Sequence, residues 1–195
     1  MSRENKKNLI MREALRLFAQ KGFDAVSMRD LADAAGISVS TIYHYYESKQ
    51  ALFQDMIRQA NAQTEKTRDE FLRVLGQTEK VEREPFVQAG VLFVTGYLRH
   101  EKIDPLLRML ESERFHDAEA EASWQRILFS DPITHEAKVF DMLAARGEIG
   151  EGDAEKLAGE YHGIVTLGYF TGDLDRMANA LRAFYDRCFL KTEAE

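Results

Sequence analysis

VSMRDLADAAGISVSTIYHYYESKQALF, residues 26–53, holds three helix starts in close succession. Ser27-Met28-Arg29-Asp30 has the form of a capping box, with a hydroxyl at the N-cap and a carboxylate three residues on. Leu31, Ala32 and Ala35 then give a short apolar face, so a helix is expected from about Met28 to Ala35. Gly36 breaks it, Ile37 offers an apolar plug, and Ser38 caps a second helix that runs to about Tyr46. Glu47-Ser48 ends that helix, and Ser48 caps another beginning at Lys49. Two short helices joined by a three- or four-residue turn containing glycine form a helix-turn-helix, whose second helix enters the DNA major groove.

The neighbouring segments extend this reading in both directions. Upstream, from Asn5 to Gln20, Ile10, Ala14, Leu17 and Phe18 make one helical stripe that Gly22 terminates. Downstream, a long helix is expected from Lys49 to about Leu75, with Leu52, Phe53, Met56, Ile57 and Ala60 on its apolar side. Beyond the charged connection at 76–85, helices are expected at about 86–100, 104–116 and 119–146, the last interrupted at Asp131-Pro132. Two more follow at about 154–170 and 173–190. The expected fold is all-α with about nine helices: a three-helix helix-turn-helix domain, residues 1–48, joined by a long helix to a helical domain, 49–195.

Composition agrees with an ordinary globular protein: 45% of the 195 residues are apolar, 30% are charged, and glycine and proline are scarce. A single cysteine, Cys188, allows no internal disulfide and suits a reducing compartment. MSRENKKNLI lacks a signal peptide's apolar run, and the longest apolar stretch, 89–98, is about half a membrane span. A cytoplasmic location without membrane contact is expected. The net charge of −7 is unevenly placed. Residues 1–50 carry eight basic and six acidic side chains, the remainder eighteen and twenty-seven. A mildly basic module on an acidic body can meet DNA with one end and keep the other off it.

Thr41, Ile42, Tyr43, Tyr45, Tyr46, Ser48, Lys49 and Leu52 follow the pattern Thr-hydrophobic-Tyr-x-His/Tyr-aromatic-x-Ser-Lys-x-x-Leu. With Leu15, Phe18, Gly22 and Phe23, the segment from about residue 8 to 57 resembles the DNA-binding region of the TetR family of bacterial transcriptional regulators. The resemblance implies a homodimer on a pseudo-palindromic double-stranded operator, most often a repressor released when a small effector binds the C-terminal domain. It places DNA contacts at Ser27, Ser38, Val39, Ser40, Thr41, Tyr43, His44, Tyr45 and Lys49. Ser38, Val39 and Ser40 suit base edges, where a hydroxyl bonds either way and valine touches a thymine methyl. Tyr43, His44, Tyr45 and Lys49 suit phosphates, as long or charged donors that position without reading sequence. Val39 stands where the family often has a basic or small residue, which bears on the operator sequence. Tyr46 stands where the family has a buried Phe and is expected inside.

For the body, the resemblance implies an effector cavity. Its candidate lining is Phe71, Phe86, Phe93, Tyr97, Met109, Phe115, Trp124, Leu128 and Phe140, a set that would favour an apolar or aromatic molecule. It also implies that the last two helices pair with their copies in a four-helix bundle. That interface would use Leu157, Tyr161, Ile164, Val165, Gly168, Leu174, Leu181, Phe184 and Tyr185, with Gly163 and Gly168 allowing close approach.

Two other classes compete with this reading. Glu113-Arg114-Phe115-His116 has the E-x-x-H spacing of di-iron helical bundles, but no second E-x-x-H follows. Asp131 and His135 lack an evident third ligand, and RGEIGEGD at 146–153 lacks the lysine of a phosphate loop. No enzyme activity, metal or cofactor is expected. A DNA-binding protein without an effector, controlled by a partner protein or acting as an architectural factor, is the remaining alternative.

Overall fold

The structure, a computed structural model, describes residues 3–101, 103–150 and 152–190, apart from the side chains of Arg3, Glu4, Gln63, Thr67, Arg68 and Phe71. Its helices are α1 (Arg3–Lys21), α2 (Met28–Ala34), α3 (Val39–Tyr45), α4 (Lys49–Gly76), α5 (Arg83–Leu92), α6 (Asp104–Glu113), α7 (Ala118–Gln125), α8 (Asp131–Ala145), α9 (Ala154–Thr171) and α10 (Leu174–Cys188). Two π-helical stretches, Phe93–Leu98 and Arg126–Ser130, extend α5 and join α7 to α8. The chain is all-α with an N-terminal helix-turn-helix, as expected. Among the described residues there are ten α-helices where about nine were expected, because the stretch 119–146 is divided between α7 and α8.

The chain forms two compact units, Met1–Glu65 with Glu101–Gln125, and Lys66–His100 with Arg126–Glu195. Residues 1–48 therefore pack in one unit with the first part of α4 and with α6 and α7.

In the first unit the stripe read on α1 is its buried face: Ile10, Ala14, Leu17 and Phe18 are all buried. Phe23, in the loop after α1, bridges Phe18 and Phe53, with ring centroids 5.1 Å from each. Gly22 and Gly36 take φ values of +83° and +63°, which let the chain turn out of α1 and between α2 and α3. The capping box is formed in full. The Asp30 amide donates to Ser27 Oγ at 3.2 Å, and Asp30 Oδ2 accepts from the Ser27 amide at 2.8 Å.

The second unit is built around an aromatic cluster. Phe86 of α5 lies 5.4 Å from Tyr161, 6.0 Å from Phe184, 5.6 Å from Tyr185 and 5.3 Å from Phe189. Phe140 of α8 closes it at 6.0 Å from Tyr161 and 5.7 Å from Phe184. Each such pair adds about 0.5–1.5 kcal/mol beyond its buried area. α10 presents Met177, Leu181 and Phe184 to this core and Asp175, Arg176, Asn179 and Asp186 to solvent. Gly168 admits the close approach of α10, since a Cβ there would lie 2.3 Å from Met177 Sδ and 2.9 Å from its Cβ.

Proline acts as expected at 132, with a consequence for its neighbours. It occupies the first turn of α8, where a missing N–H costs little. The carbonyl four residues back belongs to Leu128, and it accepts instead from Nε2 of His162 at 2.7 Å.

Candidate nucleic-acid interface

Ser38 begins α3 in extended backbone, φ −73° and ψ 153°, and its Oγ accepts from the Thr41 amide at 3.1 Å. The same hydroxyl meets Thr41 Oγ1 at 2.7 Å and Ser40 Oγ at 2.9 Å. Ile42 and Tyr46 point into the core, both buried. That register leaves Ser40, Tyr43 and His44, at i, i+3 and i+4, on one outward face. Tyr43 is 52% exposed, and the exposed His44 stands edge-on to Tyr45 with centroids 5.5 Å apart. Val39, Thr41 and Tyr45 are half-buried at the margins of this face.

Four residues assigned to DNA hold other parts of the module together. Ser27 Oγ donates to Asp30 Oδ2 at 2.6 Å, so its hydroxyl serves the α2 cap. Ser38 and Thr41 share the α3 cap. Lys49 was expected at phosphate, but its Nζ donates to the Phe23 carbonyl at 2.6 Å and lies 4.2 Å from the centroid of the Phe23 ring. It braces the loop between α1 and α2.

Asp55, which the sequence reading did not select, anchors the end of α3. It is buried on α4 and accepts from Tyr46 Oη at 3.0 Å, Lys7 Nζ at 2.9 Å, Arg58 at 3.0 Å and Gln59 at 3.3 Å. Burial works against its charge, yet the Lys7, Tyr46 and Arg58 donors hold its carboxyl below the ordinary aspartate range. Burial and Asp55 together push the Tyr46 phenol well up. The family-divergent tyrosine at 46, closing α3, and an acid nine residues later on α4 were the available signal.

The residues proposed for an effector cavity are not brought together. Phe115 is 75% exposed and lies against the Arg114 guanidinium, which also stacks on Trp124 at 3.9 Å. Met109 and Trp124 are buried in the first unit, Leu128 in the second. Phe86 and Phe140 belong to the aromatic core, and Phe93 and Tyr97 stack on each other at 5.2 Å. Phe71 lies outside the described side chains. A cleft of about 140 Å³ in the first unit is lined by Phe23, Asp24, Phe53, Glu113, His116 and Asp117, none of them in the candidate lining. Glu113 of the E-x-x-H accepts from the Phe23 amide at 3.2 Å. Among the described residues no group of three or more His, Cys, Asp or Glu could hold a metal ion, and no helix is long and apolar enough to cross a membrane.

Several residues expected at an interface on α9 and α10 are engaged within the subunit. Val165, Gly168, Leu181 and Phe184 are buried within the subunit, and Tyr185 Oη donates to the Val81 carbonyl at 2.8 Å. Tyr161 sits in the aromatic cluster, while Leu157, Ile164 and Leu174 are half-buried. The apolar side chains that do face outward are Leu167, 57% exposed, and Phe170, 51% exposed. Gly163 has open space where a Cβ would stand.

One buried polar pair in the second unit was missed. His162 Nδ1 lies 3.0 Å from Glu136 Oε1, while its Nε2 meets the Leu128 carbonyl. Burial raises the Glu136 carboxyl above the ordinary range, against the pull of His162. Burial opposes charge on His162, but the Glu136 hydrogen bond and charge outweigh it and raise the imidazole. A histidine on the apolar stripe of α9, between Ala158 and Val165, was the signal for a buried partner.

A helical chain with a capped recognition helix presenting Ser40, Tyr43 and His44 belongs to the class of helix-turn-helix proteins. Residues 10–56 match the family profile described as "Bacterial regulatory proteins, tetR family". Over this segment the chain is similar to that family. The HTH-type transcriptional repressor KstR2 of Rhodococcus jostii (strain RHA1) is 42% identical over 45 residues, 23% of this chain and 22% of that protein. The chain thus matches about a fifth of that relative's length. The fold of the whole is similar to a solved protein from Mesorhizobium loti MAFF303099 assigned to the TetR family, with TM-score 0.76, 23% identity, and coverage of 97% of this chain and 100% of that one. It is also similar to a transcriptional regulator from Saccharomonospora viridis solved with choline, with TM-score 0.70, 19% identity, and coverage of 97% and 100%.

Proposed function

We propose that this protein is a dimeric, sequence-specific DNA-binding regulator, a repressor released from its operator when a small molecule binds the second unit. The observation that carries this reading is the outward face of α3, where Ser40, Tyr43 and His44 stand clear of a core that holds Ile42 and Tyr46. Ser40 and Val39, near the helix start, meet base edges; Tyr43, His44 and Tyr45 meet phosphates. Residues 1–48 carry the DNA contacts and 49–195 the control, although the former also pack with part of the latter. The protein acts in the bacterial cytoplasm.

The second copy docks on the open face of α9. Gly159, Gly163, Leu167 and Phe170 are exposed at spacings of four, four and three, so they share one helical face. This face replaces the buried residues first expected at the interface. Leu167→Arg is expected to shift the protein to monomer in sedimentation and to lower operator affinity; an unchanged dimer would place the interface elsewhere.

Control passes through α4, whose 28 residues span about 42 Å and run without a break from the first unit into the second. Recognition helices must sit about 34–36 Å apart to enter successive major grooves. An effector that prefers another setting of α4 changes that spacing. A coupling of about 1–3 kcal/mol weakens operator binding roughly 5- to 150-fold, and operator must weaken effector binding equally. The fold supports such a role in one respect, since a structural neighbour is known with choline bound.

The test is fluorescence anisotropy on DNA from the flanks of the protein's own gene, against unrelated DNA over a salt series. Tyr43→Ala is expected to weaken binding on every sequence alike. Val39→Ala is expected to change which operators are preferred, by about 1–3 kcal/mol at one base pair. Equal binding to operator and unrelated DNA would overturn the reading, as would equal effector affinity with and without operator for the gating step.

A further inference from the structure

The Glu136–His162 pair contains an atom that its surroundings leave without a partner. Glu136 Oε2 is closed off from solvent and has no hydrogen bond, while Oε1 is held by His162 Nδ1 at 3.0 Å. The protonation of the pair follows from its geometry. A carbonyl oxygen only accepts, so Nε2, 2.7 Å from the Leu128 oxygen, carries a hydrogen. One further proton then lies between Nδ1 and Oε1. It makes the pair either imidazolium with carboxylate or neutral imidazole with carboxylic acid. In both forms Oε2 keeps its lone pairs and carries no hydrogen. It is an acceptor whatever the state of the pair.

The group is also held in place. His162 is fixed at both ring nitrogens, and its backbone carbonyl accepts from Thr166 Oγ1 at 2.6 Å. Proline at 132 frees the Leu128 carbonyl for this purpose, and Glu136 follows it on the same helix. The neighbours are mostly apolar: Leu128 is buried, Phe129 sets its ring edge-on to His162 at 6.2 Å, and Phe140 is one turn beyond Glu136 on α8, while the buried Tyr161 phenol lies within electrostatic range of Glu136. A buried acceptor left unmade is unfavourable, and most such groups in folded proteins find a donor.

We propose that Glu136 Oε2 is the polar anchor of the effector site, and that the effector is a neutral or cationic molecule presenting a hydroxyl or amine hydrogen from an apolar or aromatic body. An anionic head is disfavoured, because a carboxylate or phosphate brings only lone pairs and negative charge to an acceptor. This inference rests on the effector-gated reading above and names the chemistry of its ligand.

The experiment measures binding of benzyl alcohol, benzylamine, toluene and benzoate to the full chain without DNA, by thermal shift and calorimetry. Benzyl alcohol or benzylamine is expected to bind at least about tenfold more tightly than toluene, the loss expected when a buried acceptor goes unmatched. Preference for the alcohol marks a hydroxyl effector; preference for the amine marks a cationic one. Glu136→Gln should keep the preference, since its amide can donate to Nδ1 and leave its oxygen in the place of Oε2. Glu136→Met should abolish it; should that variant not fold, the wild-type series and Glu136→Gln still decide. Equal binding of toluene, strongest binding of benzoate, no binding of any probe, or loss in Glu136→Gln would each overturn the anchor, as would a high-resolution structure with probe bound elsewhere and only water on Oε2. Operator binding is measured in parallel. Operator binding without probe binding overturns the anchor alone, whereas probe binding without operator binding overturns the regulator reading and leaves Oε2 as a ligand site.

Discussion

Each compact unit buries a carboxylate, and the two are treated differently. Asp55 in the first unit receives hydrogen bonds from Tyr46, Lys7, Arg58 and Gln59. Glu136 in the second is held through one oxygen by His162, while the other has no partner. A fully satisfied polar group in a low-dielectric setting fixes one arrangement, because moving any member breaks several bonds at once. A partly satisfied one retains capacity for a further donor. The contrast matches the roles proposed: a recognition helix must be held in register, whereas an effector site must gain something on binding.

This contrast can be broken most forcefully through the aromatic core. If Phe140 and Phe184 are core and not the wall of a cavity, Phe184→Ala should destabilise the protein by about 3–5 kcal/mol in denaturant unfolding. A loss under about 1 kcal/mol would show an open site there. Gly168→Val is next, at about 1–3 kcal/mol or more, because its side chain would overlap Met177. A dimer-interface glycine would instead leave the subunit's stability nearly unchanged.

On the satisfied side, Asp55→Ala strands Tyr46 and Lys7 and should cost about 1–3 kcal/mol, with weaker operator binding through the loosened end of α3. Its pH dependence has a fixed sign. The folded carboxyl is held below the ordinary value of 3.8, so its contribution is complete above that value and is lost as pH falls through the lowered one. Asp55→Asn should therefore flatten the acid limb of a stability profile; an unchanged limb would remove Asp55 from the network. The smallest effect is expected at Glu70, which pairs with Arg73 at 2.6 Å on the exposed side of α4. Glu70→Gln should leave the melting temperature unmoved, since solvent screens such pairs.

The recognition module could be read from local signals because each acts within a few residues. A hydroxyl before a helix start, a carboxylate three residues on and a glycine with positive φ are short-range devices, and Ser27, Asp30, Gly22, Gly36, Ser38 and Ser48 act as read. The π-helical stretches were not legible. Phe93–Leu98 and Arg126–Ser130 keep an apolar pattern close to that of an α-helix, and the change of hydrogen bonding leaves no mark on it. The candidate lining could not be judged from the sequence for another reason. Aromatic content identifies what is buried, yet it cannot tell the Phe86, Tyr161, Phe184 cluster from a cavity wall, nor foresee that Phe115 faces outward.

The sequence by itself determined the all-helical class, the positions of the caps and breaks in residues 26–53, and the likeness of that segment to a family of regulators. These follow from propensity and spacing, which are properties of neighbours along the chain. Only the tertiary structure decided what Lys49, Asp55, Glu136, His162 and Gly168 do. Each is defined by a group far away in sequence: Phe23 for Lys49, Lys7 for Asp55, Glu136 and Leu128 for His162. Burial and pairing of polar groups depend on where helices meet, and that meeting is set by packing across the whole unit.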